Sequence, residues 1–220
     1  MRFDLHTHSC YSDDAIQSPE ELARAAKRRG LDGVALTDHN TTKGWKRLAE
    51  AARREKLSFI RAEEIKVTHE GRDIGEVIAL FINEAIEPGD FHIVKDRIKA
   101  QGGLLAVAHP FDSFRNSFQR IELLKNHFDA VEAFNARVVL NSFNDKAAEF
   151  ARSNGLPVIG GSDGHSAYEV GNAYTSADID DAKELIDAIR HGKTRAEGKR
   201  TIPLIHGIST IAKLGIMKSK

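Results

Sequence analysis

Residues 1–40, MRFDLHTHSC YSDDAIQSPE ELARAAKRRG LDGVALTDHN, read as a strand, a polar loop, a helix and a second strand, and this order decides the fold class. Phe3 and Leu5 alternate with Asp4 and His6, a period of two that suits a strand continuing to His8. Residues two apart in a strand share a side, so His6 and His8 project together and suit one metal ion. Ser18 is placed as an N-cap, with Pro19 at the first helical position, Glu21 closing a capping box and Gly30 as the stop. The apolar run DGVALTD (32–38) follows as a buried strand that ends on Asp38 and His39.

The same unit recurs downstream. KGWKRLAEAARREK (43–56) is a charged helix with one apolar face, and residues 57–82 read as two strands joined by a turn at Gly71. Helices are predicted near 91–103, 119–127, 144–155 and 180–192, alternating with strands LLAVAH (104–109), DAVEAFN (129–135) and LPVIGG (156–161). Such alternation implies a parallel sheet covered by helices, as a barrel or an open sheet, with ligands at the carboxyl ends of the strands. His6, His8, Asp38, His39, His109, Glu132, Asn135, Asp163 and His165 fall at or just after strand ends, and Glu63 and Glu64 interrupt the third strand. Their joint placement points to a metal site. His69, His92, His127, His191 and His206 fall elsewhere and read as solvated or capping residues.

Composition sets bounds on the partner and the compartment. Of 220 residues, 41% are hydrophobic and 29% charged, enough for one sizeable core, and 32 basic residues balance 32 acidic ones. No global field therefore advertises nucleic acid or an anionic membrane. One cysteine, Cys10, excludes an internal disulfide and suits a reducing, cytoplasmic setting; it reads as a packing residue. No run is long and apolar enough for a membrane span. The chain divides into a barrel over residues 1–198 and a basic amphipathic tail over 199–220. That tail carries Lys199, Arg200, Lys213, Lys218 and Lys220, with apolar residues every third position from Ile202 to Met217. It is expected to pack on the barrel or on a partner subunit, with a basic contact to nucleic acid or lipid as the alternative.

Taken in order, HTHSCYSDD, TDHN, AEEI, AHP and SDGH resemble the polymerase and histidinol phosphatase (PHP) domain family, over residues 1 to about 165. The resemblance implies a distorted (β/α)7 barrel that holds up to three divalent ions (Mn2+, Zn2+ or Fe2+) at the carboxyl ends of its strands and hydrolyses phosphoesters. Carried over position by position, it makes His6, His8, Glu64 and Asp163 ligands of one ion. Glu64 then bridges to a second ion that also takes His109, and Asp13, His39 and His165 hold a third. Neighbours in a strand face oppositely, so only one of Glu63 and Glu64 points inward. The family's Gly-x-Glu pattern, aligned with Ala62, Glu63 and Glu64, selects Glu64.

Where family members often carry a histidine, about a dozen residues after this glutamate, the chain offers Glu76. As a harder, anionic ligand it would shift preference from zinc towards manganese or iron(II). The catalytic roles expected are Glu64 as the bridge, Asp38 as orienter, proton handler or strand-end cap, and Arg137 as a forked phosphate donor, with Arg115 and Lys43 less well placed. The compatible partners are a small phosphorylated metabolite, a nucleotide or an oligonucleotide. Two other readings fit the same ligands: a metal-dependent C–N hydrolase, and a non-catalytic metal-binding module tied to nucleic-acid machinery.

Overall fold

In the computed structural model, which describes residues 1–115 and 117–201, the first strand is shorter than the alternation suggests. Strand β1 (Arg2–Asp4) stops because Asp4 turns its own carboxylate onto the chain: Asp4 Oδ1 accepts the His6 N–H at 3.3 Å and the Ser162 N–H at 2.9 Å. His6 and His8 therefore reach the site from an irregular segment. Helix α1 (Pro19–Arg28) carries the expected cap, with Ser18 and Glu21 bonded reciprocally. Then follow β2 (Gly33–Leu36), α2 (Trp45–Glu55) and the long hairpin β3 (Ser58–His69) and β4 (Arg72–Leu80), turned through Glu70 and Gly71 at positive φ. Next come β5 (Gly89–Asp90), α3 (Phe91–Ala100), β6 (Leu104–Val107), α4 (Ile121–Leu124), β7 (Ala130–Asn135), α5 (Asn141–Asn154) and β8 (Val158–Gly161). The chain returns through β9 (Ala173–Ala177), α6 (Leu185–Arg190) and β10 (Thr194–Gly198).

Seven strands, in the order β1-β2-β3-β4-β6-β7-β8, wrap the interior as a nearly closed barrel. The barrel is mixed, as the turn expected at Gly71 requires: β4 runs antiparallel to both β3 and β6 because a tight hairpin replaces a helical crossover. Strands β9 and β10, which the sequence reading missed, form an antiparallel pair that continues the sheet from β1. They fill the seam between β1 and β8, where Thr175 Oγ1 bonds both the N–H and the carbonyl of Gly160. At the carboxyl end the seam closes directly, through Asp163 N to His6 O at 2.7 Å and His8 N to Gly164 O at 3.0 Å. A Cβ at Gly161 would stand 2.3 Å from the Cβ of His6, so only glycine lets the strands approach this closely.

Alternation then distributes the apolar residues. Ala35, Ile60, Ala62, Ile78, Leu80, Leu104, Ala106 and Ala130 form the interior cluster with Phe3 and Leu5, and α6 contributes Leu185 and Ile189 to it. The opposite strand faces pack under α1 and α2 on one side and under α3 and α5 on the other. The segment at 119–127 makes only α4 and a single 3-10 turn. Of the expected tail, residues 202–220 lie outside those described; Thr201 N donates to Ala136 O at 2.7 Å. Among the described residues, no helix is long and apolar enough to cross a membrane.

Glu63 illustrates the cost of an outward-facing but buried acid. Its Oε2 accepts the Ile86 N–H at 2.9 Å, and burial, reinforced by Glu87, pushes its carboxyl from 4.5 up to about 7. The folded state thus keeps a proton that the unfolded chain releases, so stability falls as pH rises from 4.5 to 7. Glu63→Gln keeps an acceptor for Ile86 and removes the charge. Its melting temperature should exceed that of the wild type at pH 8, with the gap closing by pH 4; a gap that did not change with pH would contradict the assignment.

Candidate metal centre

Glu64 stands at the middle of the barrel mouth, 1% exposed, with four imidazoles directed at its carboxylate. Oε1 lies 3.4 Å from His6 Nε2 and 3.1 Å from His109 Nε2, and Oε2 lies 3.5 Å from His8 Nε2 and 2.9 Å from His39 Nδ1. The position follows from the hairpin register: Glu64 pairs with Ile78 and Lys66 with Glu76, so Glu64 and Glu76 share the inner face.

Three groups of donors have ligand atoms that all lie within 4.8 Å of one another: His6, His8 and Glu64; His39, Glu64 and Glu76; and His8, His39 and His165. Asp163 joins the first, its Oδ1 being 3.3 Å from His8 Nε2 and 3.8 Å from His6 Nε2. The His6 and His8 Nε2 atoms are 3.1 Å apart. Donors about 2.0–2.1 Å from one tetrahedral ion are separated by about 3.3 Å, so these spacings fit an ion without rearrangement. Glu76 approaches His109 Nε2 at 3.8 Å and His39 Nδ1 at 3.9 Å, which places it where the sequence expected a ligand.

Asp13 is the clear correction. It is exposed, whereas its neighbour Asp14 is buried and sets Oδ1 3.4 Å from His39 Nε2 and 3.3 Å from His165 Nε2. The loop after β1 is irregular, so spacing alone does not distinguish between adjacent aspartates.

Three of the histidines are oriented through their second nitrogens, as metal ligands usually are. His6 Nδ1 meets Glu132 Oε1 at 2.8 Å, His165 Nδ1 meets the Asp163 carbonyl at 2.8 Å, and His8 Nδ1 meets Ser12 Oγ at 3.3 Å. Asp38 lies outside the three donor groups. It is buried, and burial raises its carboxyl to about 6 although it accepts Ser9 N, Ser9 Oγ and Ser12 Oγ. It holds the loop whose Ser12 touches His8 and accepts the His39 N–H. Arg137 is likewise displaced from its expected role: its Nε lies 3.4 Å from Glu169, which bonds His165 N and Ser166 Oγ.

Arg115, rather than Arg137, contacts the candidate ligand Asp163. Its Nη1 bonds Asp163 Oδ2, its Nε bonds Asp112 Oδ2 at 2.8 Å, and its Nη2 reaches Asn135 Oδ1 at 3.4 Å. Asp163 Oδ2 also accepts Asn135 Nδ2 at 3.1 Å, so one carboxylate oxygen is clamped while Oδ1 faces the histidines. Lys43 is exposed. Cys10 is half-buried and lies outside the three donor groups. His69, His92 and His127 make a row of ring contacts at 5.4 Å, apart from this centre.

Electrostatics show what the cluster asks for. Burial opposes charge on Glu64 and Asp163, yet His6, His39 and Arg115 hold both carboxyls well below the ordinary range. Burial likewise opposes charge on His6, but Glu132, Glu64 and Asp163 raise it well above the usual value, while burial and the neighbouring His39 and His165 lower His8 to about 3. Protons on His6 and His39 thus neutralise carboxylates that divalent cations would neutralise.

Comparison with known proteins places this arrangement. The PHP_C family, described as PHP-associated, matches residues 141–194, a segment that supplies Asp163 and His165. An uncharacterized protein of Methanocaldococcus jannaschii is 31% identical over 147 residues, covering 62% of this chain and 82% of that protein. A second from the same organism is 33% identical over 183 residues, covering 79% and 69% respectively. Among solved structures, a two-domain Bacteroides vulgatus protein containing a predicted PHP-like metal-dependent phosphoesterase superposes with a TM-score of 0.76 at 20% identity. The likeness covers 90% of this chain but 65% of that longer one, and it shows the fold.

The two aspartates offer a direct check. Asp14→Ala should weaken manganese binding at one position by about tenfold or more, and Asp13→Ala should leave it unchanged. Calorimetric titration of metal-stripped protein measures both, and the reverse ranking would restore Asp13 as the ligand.

Proposed function

The chain belongs to the PHP (polymerase and histidinol phosphatase) domain family, and from that premise we propose that it is a metal-dependent phosphoesterase acting on a small anionic phosphoester. The observation that carries this reading is the single Glu64 carboxylate, reached within 3.5 Å by His6, His8, His39 and His109 and so shared between two donor groups. The donors are nitrogen and oxygen, which suits zinc, manganese or iron(II), and Glu76 favours the harder of these. His6, His8, Glu64 and Asp163 would hold one ion, with Glu64, Glu76, His39 and His109 around a second and Asp14, His39 and His165 around a third. Divalent ions bound there would acidify a water and polarise a phosphoryl oxygen.

The rest of the chemistry belongs to the chain. Arg115 has three of its five donors engaged among the described residues, and its side chain is 31% exposed, so two N–H groups remain for a phosphate oxygen. Because the same guanidinium clamps Asp163 Oδ2, a phosphate bound to it is held against a ligand side chain at fixed distance. Four carboxylates, Asp14, Glu64, Glu76 and Asp163, do not cancel the charge of three divalent ions, and the surplus favours an anionic substrate. Glu132 and the Asp163 carbonyl keep the His6 and His165 rings in one tautomer and orientation, Glu169 holds the His165 backbone, and Asp38 orients His8 through Ser12.

Metal-reconstituted protein should hydrolyse p-nitrophenyl phosphate or bis(p-nitrophenyl) phosphate, and a chelator should abolish that activity. Glu64→Gln and His8→Ala should each cost about 100-fold or more in turnover while the circular dichroism spectrum is kept. Turnover that survived loss of the metal, or a fully loaded protein inert towards both esters, would overturn the reading. Glu76→His should retain activity and move the preferred metal from manganese towards zinc, since imidazole is the softer donor. Identical metal profiles for wild type and variant would remove Glu76 from the ligand set.

A further inference from the structure

No helix directly follows β8; the chain passes through residues 162–172 to β9 instead. Beside β7 and β8, between α5 and β10, this leaves a groove of about 860 Å³. The β7–β8 register shifts between Glu132 and Phe134, and Ala133 and Phe134 both line the groove, with Val158 of β8, Ala148 of α5 and Ala196 of β10. Phe134 and Val158 are only half-buried there, so the apolar strip is incompletely covered by the described residues.

The described chain leaves from the end of this same groove. Lys199 and Arg200 line it, and Thr201 is buried and fastened at two points: its N–H donates to Ala136 O at 2.7 Å and its Oγ1 accepts Asn172 Nδ2 at 3.0 Å. The sequence that follows, IPLIHGISTIA (202–212), contains no lysine, arginine or acidic residue, and carries Ile202, Leu204, Ile205, Ile208 and Ile211. A run of that composition has little to hold it in water and gains from burial. Extended, it reaches about 36 Å, more than the about 21 Å of the helix α5 that borders the groove.

We propose that residues 202–212 lie in the groove of their own chain, with the isoleucine and leucine side chains on Phe134, Val158 and Ala148. The anchor at Thr201 makes the contact intramolecular, so a high effective concentration does what a larger interface would otherwise have to do.

Hydrogen–deuterium exchange on the full chain tests this. Amides of residues 204–212 should exchange about tenfold or more slowly than those of a free peptide of the same sequence. Ala148→Arg fills the groove from an exposed position on α5 and should abolish that protection while the rest of α5 and β8 stay protected. Ile205→Ser combined with Ile208→Ser, which alters no described residue, should abolish it too and should speed exchange in β10. Peptide-like exchange of 204–212 in the wild type would overturn the proposal, as would protection that survives Ala148→Arg. Protection that appears only as protein concentration rises, in step with a dimer seen by sedimentation, would give the groove to a second copy and overturn it equally.

Discussion

The carboxylate of Glu64 is the group around which the rest of this molecule is arranged. An ionised acid at 1% exposure cannot be hydrated by bulk water, and its charge is sustained only by cations packed against it. His6 and His39 meet that demand, and His8 and His109 also reach the carboxylate, the four rings coming from three stretches of the chain. His6 and His8 are held from behind by Glu132 and Ser12, and the neighbouring His165 by the Asp163 carbonyl, so the arrangement passes outward from the carboxylate. The polar interior is thus one connected network whose orientation is set from its centre.

Bringing those side chains together costs the backbone its ordinary conformations. Two of the candidate ligands, His109 and Asp163, sit at positive φ, +25° and +52°, outside the regions that non-glycine residues prefer. Both lie just past a strand end, where the chain must turn to aim a side chain over the barrel axis. Asp163 is also part of the seam, through its N–H to the His6 carbonyl. Barrel closure and site assembly are therefore the same event, and Gly161 is needed for both because no Cβ fits beside His6.

A second set of buried acids supports the site without facing it. Asp38 holds the loop of Ser9 and Ser12, Asp112 holds the Phe114–Arg115 pair, and Glu169 holds the turn of His165. Each accepts backbone N–H groups as well as side-chain donors, which converts flexible loops into fixed mounts. Positions near strand ends combined with such supports hold the candidate ligands in fixed geometry.

The sequence by itself determined the α/β class and most of the candidate metal donors. Alternating strands and helices specify a sheet covered by helices because apolar runs of that length must be covered on both faces, the barrel form was implied by the resemblance, and ligand-type residues at successive strand ends converge wherever the strands do. The helix at Ser18–Gly30 and the hairpin at Gly71 were legible because their signals are local: a capping box and a tight turn. Tertiary structure alone decided between neighbours. Nothing local separates Asp13 from Asp14, since the loop between them and His8 has no period, and the choice follows from where His39 and His165 lie. Nothing local ranks Arg115 above Arg137 either, because the distinction is made by Asp163 and Asp112 for one and by Glu169 for the other. Strands β9 and β10 escaped for the same reason: their partners, β1 and the Gly160 backbone, are remote in sequence, and pairing of that kind is a property of the assembled barrel rather than of the segment.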